Sequence, residues 1–271
     1  MALRIQNNVE AFNAWRNLSM SSDGLSKSME RLSSGYRINR AADDAAGLAI
    51  SEKLRSQISS LSQAQRNAQD AISLVQTAEG AMQEVNNMLS RVRDLAVEFN
   101  NGTLSAADKA TLTAEVAQLC NEINRISQQA KFNGISLLSG TATITFQIGL
   151  EDGNTVATSA RALFGAGSTY DINSAIFTWG TTATLASIDT AIANVAGARS
   201  QFGSVQNRLE YTINSLSSYE ENLTASESRI RDVDMASEMV SFTKYQILQQ
   251  AGTSMLAQAN AVPQSVLSLL R

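Results

Sequence analysis

Few residues of this 271-residue chain have the types and spacing that chemistry needs. Asp43 and Asp44 are adjacent carboxylates that could share acid–base work or hold a hard cation. No third ligand or convergent polar group lies near them. Helix N-capping, ahead of the long apolar-periodic run that follows, accounts for them better. Cys120 could be a nucleophile, but the chain has no histidine to activate it. It sits beside Leu119 and near Val116 and Ile123, which reads as a helix position in or next to a core. Arg31, Arg37 and Arg40 could grip phosphates, yet Glu30, Asp43 and Asp44 interrupt them and no stacking aromatics are interleaved. A solvated or subunit-contacting face is the better reading. Gly47, Gly80 and Gly102 make no phosphate-binding pattern. The expectation is a non-enzyme with no cofactor, no metal and no nucleic-acid partner.

Composition narrows the class further. Lys plus Arg is 21 and Asp plus Glu is 25, so a net charge of −4 gives no whole-chain attraction to nucleic acid or an anionic membrane. Hydrophobic residues make up 44% but aromatics only 6%, which suits long helices with thin seams rather than a thick aromatic core. A single proline, Pro263, lets helices run without interruption. A single cysteine forbids an intramolecular disulfide. No apolar run is long enough for a transmembrane helix. The start, MALRIQNNVEAF, lacks the apolar stretch of a cleaved secretory signal, so none is expected.

The elements that would position these residues are mostly helices. Residues 44–100 read as one helix, about 85 Å long at the usual rise. Leu54, Ile58, Leu61, Gln65, Ala68, Ile72 and Val75 alternate steps of four and three, and Ala78, Met82, Val85, Leu89, Val92, Ala96 and Phe99 resume the alternation. Two successive steps of three meet at Val75, which predicts a stammer. Asn101-Gly102 ends this helix. Ser105 and Asp108 predict a capping box for the next, which carries Leu112, Val116, Leu119, Ile123, Ile126 and Ala130 until Asn133-Gly134 closes it. Ile144, Phe146, Ile148 and Leu150 alternate, Asp152-Gly153 follows, and Thr155, Val156 and Thr158 continue, which predicts a β-hairpin. Phe164, Tyr170, Phe177 and Trp179 are expected to cover the end of the rod. From Leu185 the helical period returns through Ile188, Val195, Phe202, Leu209 and Leu216 to Ile230. The fold class is mainly α: a long antiparallel coiled-coil rod over residues 45–227, with a small β-hairpin module near 140–184.

Both ends are apolar and helical, although chain ends are normally polar and frayed. Ile5, Val9, Phe12, Leu18, Leu25, Met29, Leu32 and Tyr36 recur mostly at helical steps. The other end offers Ile247, Leu248, Met255, Leu256, Val266, Leu267, Leu269 and Leu270. Neither end can bury this surface within its own segment. The two are predicted to lie side by side and to drive self-assembly.

Longer runs carry a resemblance. ERLSSGYRINRAADDAAGLAI (30–50), NAQDAISLVQTAEGAMQEVNNMLSRVRDLAV (67–97) and FNGISLL (132–138) resemble the N-terminal region of bacterial flagellins. ENLTASESRIRDVDMASEM (221–239) and QILQQAGTSMLAQANAVPQSVLSLLR (246–271) resemble their C-terminal region. The resemblance implies a filament-core domain from residues 1–44 and 228–271, a rod domain from 45–227, and no large outer domain. It implies a structural subunit of the extracellular flagellar filament, exported by the flagellar type III apparatus. The implied partners are further copies of the chain, flagellar cap and hook-associated proteins, a flagellin export chaperone and a toll-like innate receptor. From the runs SRVRDLAV and AEV it carries over Arg91, Leu95 and Glu115 as receptor contacts. A hook–filament junction protein would share both ends, though the QANAVPQSVLSLL ending favours flagellin. A coiled-coil signalling protein would need a membrane anchor or charged adaptor surface, and neither is visible.

Overall fold

The apolar periods become helices, the last of which runs on across Pro263, and the longer strands form where threonine and alternation take over. The computed structural model describes residues 8–139, 143–159 and 185–269, with residues 159 and 262–269 described by their backbone alone. In chain order these form α1 (Val9–Ser34), α2 (Ala45–Phe99), α3 (Ala106–Gln129), β1 (Lys131–Phe132), β2 (Ile135–Ser136), β3 (Thr143–Gln147), β4 (Thr155–Ser159), α4 (Leu185–Arg231) and α5 (Met235–Leu269). They divide into two compact units, residues 57–221 and residues 1–56 with 222–271.

In the unit of residues 57–221, α2 and α4 run antiparallel. Gln65 hydrogen-bonds Glu220 at 2.7 Å near one end, and Arg93 meets Asp189 at 2.6 Å near the other. The third partner changes along α2. Helix α3 folds back antiparallel and packs Val116 against Val92, Leu95, Ala96 and Ile188. Ile123 joins Leu74, Val85, Leu89 and Val195 in the largest core cluster. Further along, the β3–β4 hairpin takes over. Val156 packs on Ala68, Ala71 and Leu209, and Asn67 Nδ2 donates to the Gln147 carbonyl at 3.0 Å.

One buried row of α2 is Leu61, Ala64, Ala68, Ala71, Val75, Ala78, Met82, Val85, Leu89, Val92 and Ala96, with Leu74 and Leu95 buried beside it. Its steps alternate three and four throughout, so the expected stammer is absent from the packed face. Gln65 and Ile72 are only half-buried flanks, and Ala64 and Ala71 hold the places assigned to them. The small alanines leave room for the hairpin to lie close.

Local signals explain the boundaries. Ser105 and Asp108 form the expected capping box: Ser105 Oγ accepts from the Asp108 N–H at 3.2 Å, and Asp108 Oδ2 accepts from the Ser105 N–H at 3.1 Å. Asn133-Gly134 does not close α3, which stops at Gln129. The pair is the two-residue turn of a short antiparallel hairpin, with Phe132 opposite Ile135. Both residues have positive φ, 47° and 81°, as a type I′ turn demands. The second hairpin is antiparallel with Phe146 opposite Val156. Phe164, Tyr170, Phe177 and Trp179 lie outside the described residues.

In the other unit, α1 and α5 pair antiparallel. Asn8 caps α1 by accepting the Ala11 N–H at 3.0 Å, and its amide donates to the Ala259 carbonyl at 2.8 Å. At the far end Arg31 faces Glu238 at 3.6 Å. The inward positions of α1 are Ala11, Ala14, Leu18, Ser21, Leu25, Ser28 and Leu32, of which only Ser28 is fully buried. Gly35 ends the helix in the left-handed region at φ 76°. The strand-like bridge of Tyr36 with Asp232 follows, with the Arg37 N–H donating to the Arg231 carbonyl at 2.7 Å. Asp44 caps α2 through the Gly47 N–H at 2.9 Å, as expected of it. Asp43 does something else. Its Oδ2 accepts the Arg40 N–H at 3.1 Å and the Asn39 N–H at 3.3 Å, so it braces the loop rather than the helix. Those backbone donors, Arg40 first, hold its carboxyl below the usual carboxylate range.

Candidate assembly surface

The α1–α5 pair has two kinds of face. Its seam is thin because the inward positions are alanine, serine and spaced leucines. Glycines let the helices approach: a β-carbon on Gly252 would lie 3.2 Å from Leu18 Cδ1. Tyr245 packs on Gly24 within the seam, but many bulky apolar residues are left outside. Phe12 is 64% exposed, Trp15 61%, Ile247 65% and Val240 69%. Val9, Met20, Met29, Met235, Met239, Leu248 and Met255 join them as exposed large apolar residues. A groove of about 510 Å³ runs between Asn8, Ala11, Phe12 and Trp15 on one helix and Leu256 and Asn260 on the other.

The residues expected to drive assembly fall into three groups. Val9, Phe12, Ile247, Leu248 and Met255 are exposed. Leu32 and Leu256 are half-buried, Leu32 among the inward positions of α1 and Leu256 at the groove. The backbone of Val266, Leu267 and Leu269 continues α5, while Ile5 and Leu270 lie outside the described residues. Trp15 and Val240 escaped the sequence reading. Trp15 lies one helical step from Phe12 and Val240 next to Met239, on the same outward face as those two residues.

Arg37 and Arg40 are exposed, as a solvated face requires, and also make contacts within the unit. Arg40 pairs with Glu30 at 2.9 Å, and Arg37 donates to the Ile230 carbonyl at 2.6 Å. Beside them Arg231 stacks on the Tyr36 ring at 4.8 Å and pairs with Glu52 at 2.8 Å. These contacts join the ends of α1 and α4 to the start of α2.

The receptor-contact trio is split. Arg91 Nε and Nη2 both donate to Glu115 Oε1, at 3.0 and 2.8 Å, in an exposed ion pair across α2 and α3. The Glu115 hydrogen bond stabilises the charged guanidinium and raises its pKa. Leu95 has no exposed surface. It lies under the pair in the cluster with Val92, Val116 and Ile188. The four-residue spacing that placed it beside Arg91 turns it inward, because α3 and α4 both pack there. Arg91 and Glu115 are therefore on the surface of the unit, whereas Leu95 is inside it.

Cys120 is half-buried between the clusters of α2 and α3, and burial pushes its thiol up to about 11. That is the reverse of the shift that activates a nucleophile. Among the described residues no three acidic or cysteine side chains are placed to hold a metal, and no helix is long and apolar enough to cross a membrane.

Comparison with known proteins agrees with this architecture. The bacterial flagellin N-terminal helical region matches residues 5–143, and the bacterial flagellin C-terminal helical region matches residues 185–270. A flagellin of Halalkalibacterium halodurans is 48% identical over 98% of this chain and 99% of its own. A flagellin of Bacillus subtilis is 46% identical over 99% of this chain and 100% of its own. The flagellar filament 33 kDa core protein of Treponema phagedenis is 46% identical over 98% and 99%. Nothing in these matches favours a hook–filament junction protein or a signalling coiled coil. With both helical regions matched in order and relatives aligned end to end, the chain belongs to the bacterial flagellin family.

Proposed function

We propose that the chain is the structural subunit of a bacterial flagellar filament, joined to its neighbours through the outward faces of α1 and α5. One observation carries the reading: the pairing of the chain ends leaves Phe12, Trp15, Val240 and Ile247 more than 60% exposed. Burying one such side chain contributes about 1.5–3 kcal/mol, and a patch of this kind marks a contact surface. Copies of the same chain supply the missing cover. The flagellin and filament-core relatives support the same function.

In this reading residues 1–44 with 228–271 form the filament core and residues 45–227 the rod. The flagellar type III apparatus exports the chain without cleaving a signal, and an export chaperone shields its ends before assembly. Cap and hook-associated proteins meet it at the ends of the filament. A toll-like innate receptor is a further partner of the free subunit. The exposed Arg91–Glu115 pair supports that contact, with Leu95 holding α2 against α3 beneath it.

The test is polymerisation of the full chain. Wild type is expected to give long filaments by electron microscopy after addition of salt. The double change Phe12→Ser with Ile247→Ser is expected to keep its helicity by circular dichroism and give none. Filaments from the variant at wild-type yield would overturn the reading. Intact-mass measurement of secreted protein checks the export route, since loss of some 20 residues would mean a cleaved signal.

A further inference from the structure

Seven of the eight methionines of this chain are among the described residues, and they are not distributed as core residues. Met82 is fully buried and Met88 packs against the same cluster, both in α2. Met20 and Met29 on α1, and Met235, Met239 and Met255 on α5, are all exposed, from 47% at Met239 to 64% at Met255. The exposed thioethers therefore belong to the unit that carries the outward apolar face, while of the two in the other unit Met82 is fully buried and Met88 half-buried. An unbranched thioether adapts to an irregular partner surface. It also carries the one apolar side chain that mild oxidants convert to a polar one, with susceptibility following exposure.

We propose that Met20, Met29, Met235, Met239 and Met255 are peroxide-modification sites whose oxidation switches off assembly of the free subunit. In the step, a sulfur lone pair attacks one oxygen of hydrogen peroxide and the O–O bond breaks. The sulfur keeps that oxygen as a sulfoxide and the other leaves as water. The thioether is oxidised by two electrons and the peroxide is reduced by two. The product places a polar S=O group on a face that must meet an apolar neighbour. Unit 57–221 keeps its fold because Met82 is fully buried and the cluster half-covers Met88. Packing in the filament covers the same sulfurs, so assembled subunits resist the reagent that disables free ones. The functional consequence rests on the filament reading; the order of reactivity does not.

The experiment treats the full-length free subunit with hydrogen peroxide and maps oxygen gain by peptide mass spectrometry. The five exposed methionines are expected to react about tenfold faster than Met82. Polymerisation, followed by light scattering, is expected to fail after treatment and to return when methionine sulfoxide reductases of both epimer specificities are added. A variant with all five changed to leucine, which keeps volume and apolarity, is expected to polymerise before and after treatment. Equal oxidation of Met82 and the exposed five overturns the proposal. So does undiminished assembly of oxidised wild type, or equal loss of assembly by the treated leucine variant. Should the leucine variant not polymerise at all, reductase rescue of oxidised wild type decides: no rescue overturns the proposal. Untreated wild type that never polymerises overturns the filament reading instead, and the oxidation map still decides which sulfurs react.

Discussion

Gly24 of α1 faces the ring of Tyr245 on α5 so closely that a β-carbon on the glycine would lie 2.7 Å from the ring edge. No real β-carbon sits that near, so any side chain at 24 must push the tyrosine away. Replacing a mid-helix glycine by alanine gains about 1 kcal/mol of helix propensity. Overpacking a tight contact costs about 1–3 kcal/mol. Gly24→Ala is therefore expected to weaken the α1–α5 pair. Gly80→Ala meets nothing within 4 Å and is expected to stabilise α2 by about 1 kcal/mol. Thermal unfolding of both variants, with amide exchange read on α1, checks this. Unchanged α1 protection in Gly24→Ala would show that the close approach is not needed.

The capping box at α3 has a pH signature. Ser105 donates its hydroxyl to Asp108 Oδ2 at 2.7 Å and its N–H at 3.1 Å, and the two bonds, hydroxyl first, lower the Asp108 pKa. A carboxyl whose folded pKa lies below its unfolded value of about 3.9 stabilises the fold above that value. The contribution is lost as pH falls through the folded pKa. Ser105→Ala is expected to cost about 1 kcal/mol near neutral pH and to return Asp108 toward its ordinary range. Carbon-detected NMR titration of the Asp108 carboxyl reads the second effect, and an unmoved titration would assign the shift to another group.

Cys120 is expected to be slow toward thiol reagents. A thiol pushed up to about 11 holds almost no thiolate at pH 8. Alkylation of native protein should run at least about tenfold slower than alkylation of urea-unfolded protein, where the ordinary pKa of about 8.5 applies. Equal rates would mean that the α2–α3 seam opens freely.

Leu95 and Arg91 should separate folding from recognition. Leu95→Ala deletes a fully buried side chain and is expected to destabilise residues 57–221 by about 2–5 kcal/mol. Arg91→Ala breaks an exposed ion pair and should leave the melting curve almost unchanged. With monomeric protein, Arg91→Ala is expected to lower receptor binding at least about tenfold, about 1.4 kcal/mol. Binding unaffected by Arg91→Ala would move the receptor contact elsewhere.

These residues also mark what the sequence makes legible. Period and capping chemistry are local, so α2, α3, the Ser105 box and the existence of the β3–β4 hairpin follow from spacing, whereas its register does not: β3 stops at Gln147, short of Ile148 and Leu150. Seam choice is not local. Ile72 looks more core-like than Ala71, yet Ala71 is buried because the hairpin and α4 converge above it. Asn133-Gly134 announces a turn, but its flanking strands are two residues long and too short to show alternation. The candidate surface was legible as excess apolar content. Which of its residues face out depended on the partner helix, whose glycines and serines set the seam.

The bond from Asn8 to Ala259 joins groups 251 residues apart. During synthesis α1 is made first and meets its partner last. Local contacts let α2 and α3 fold as they emerge, whereas the entropy of closing so long a loop is met only when α5 is complete. The first helix therefore spends the whole time of translation unmatched. A chain built this way pairs α1 with α5 only after the helices between them have had time to form.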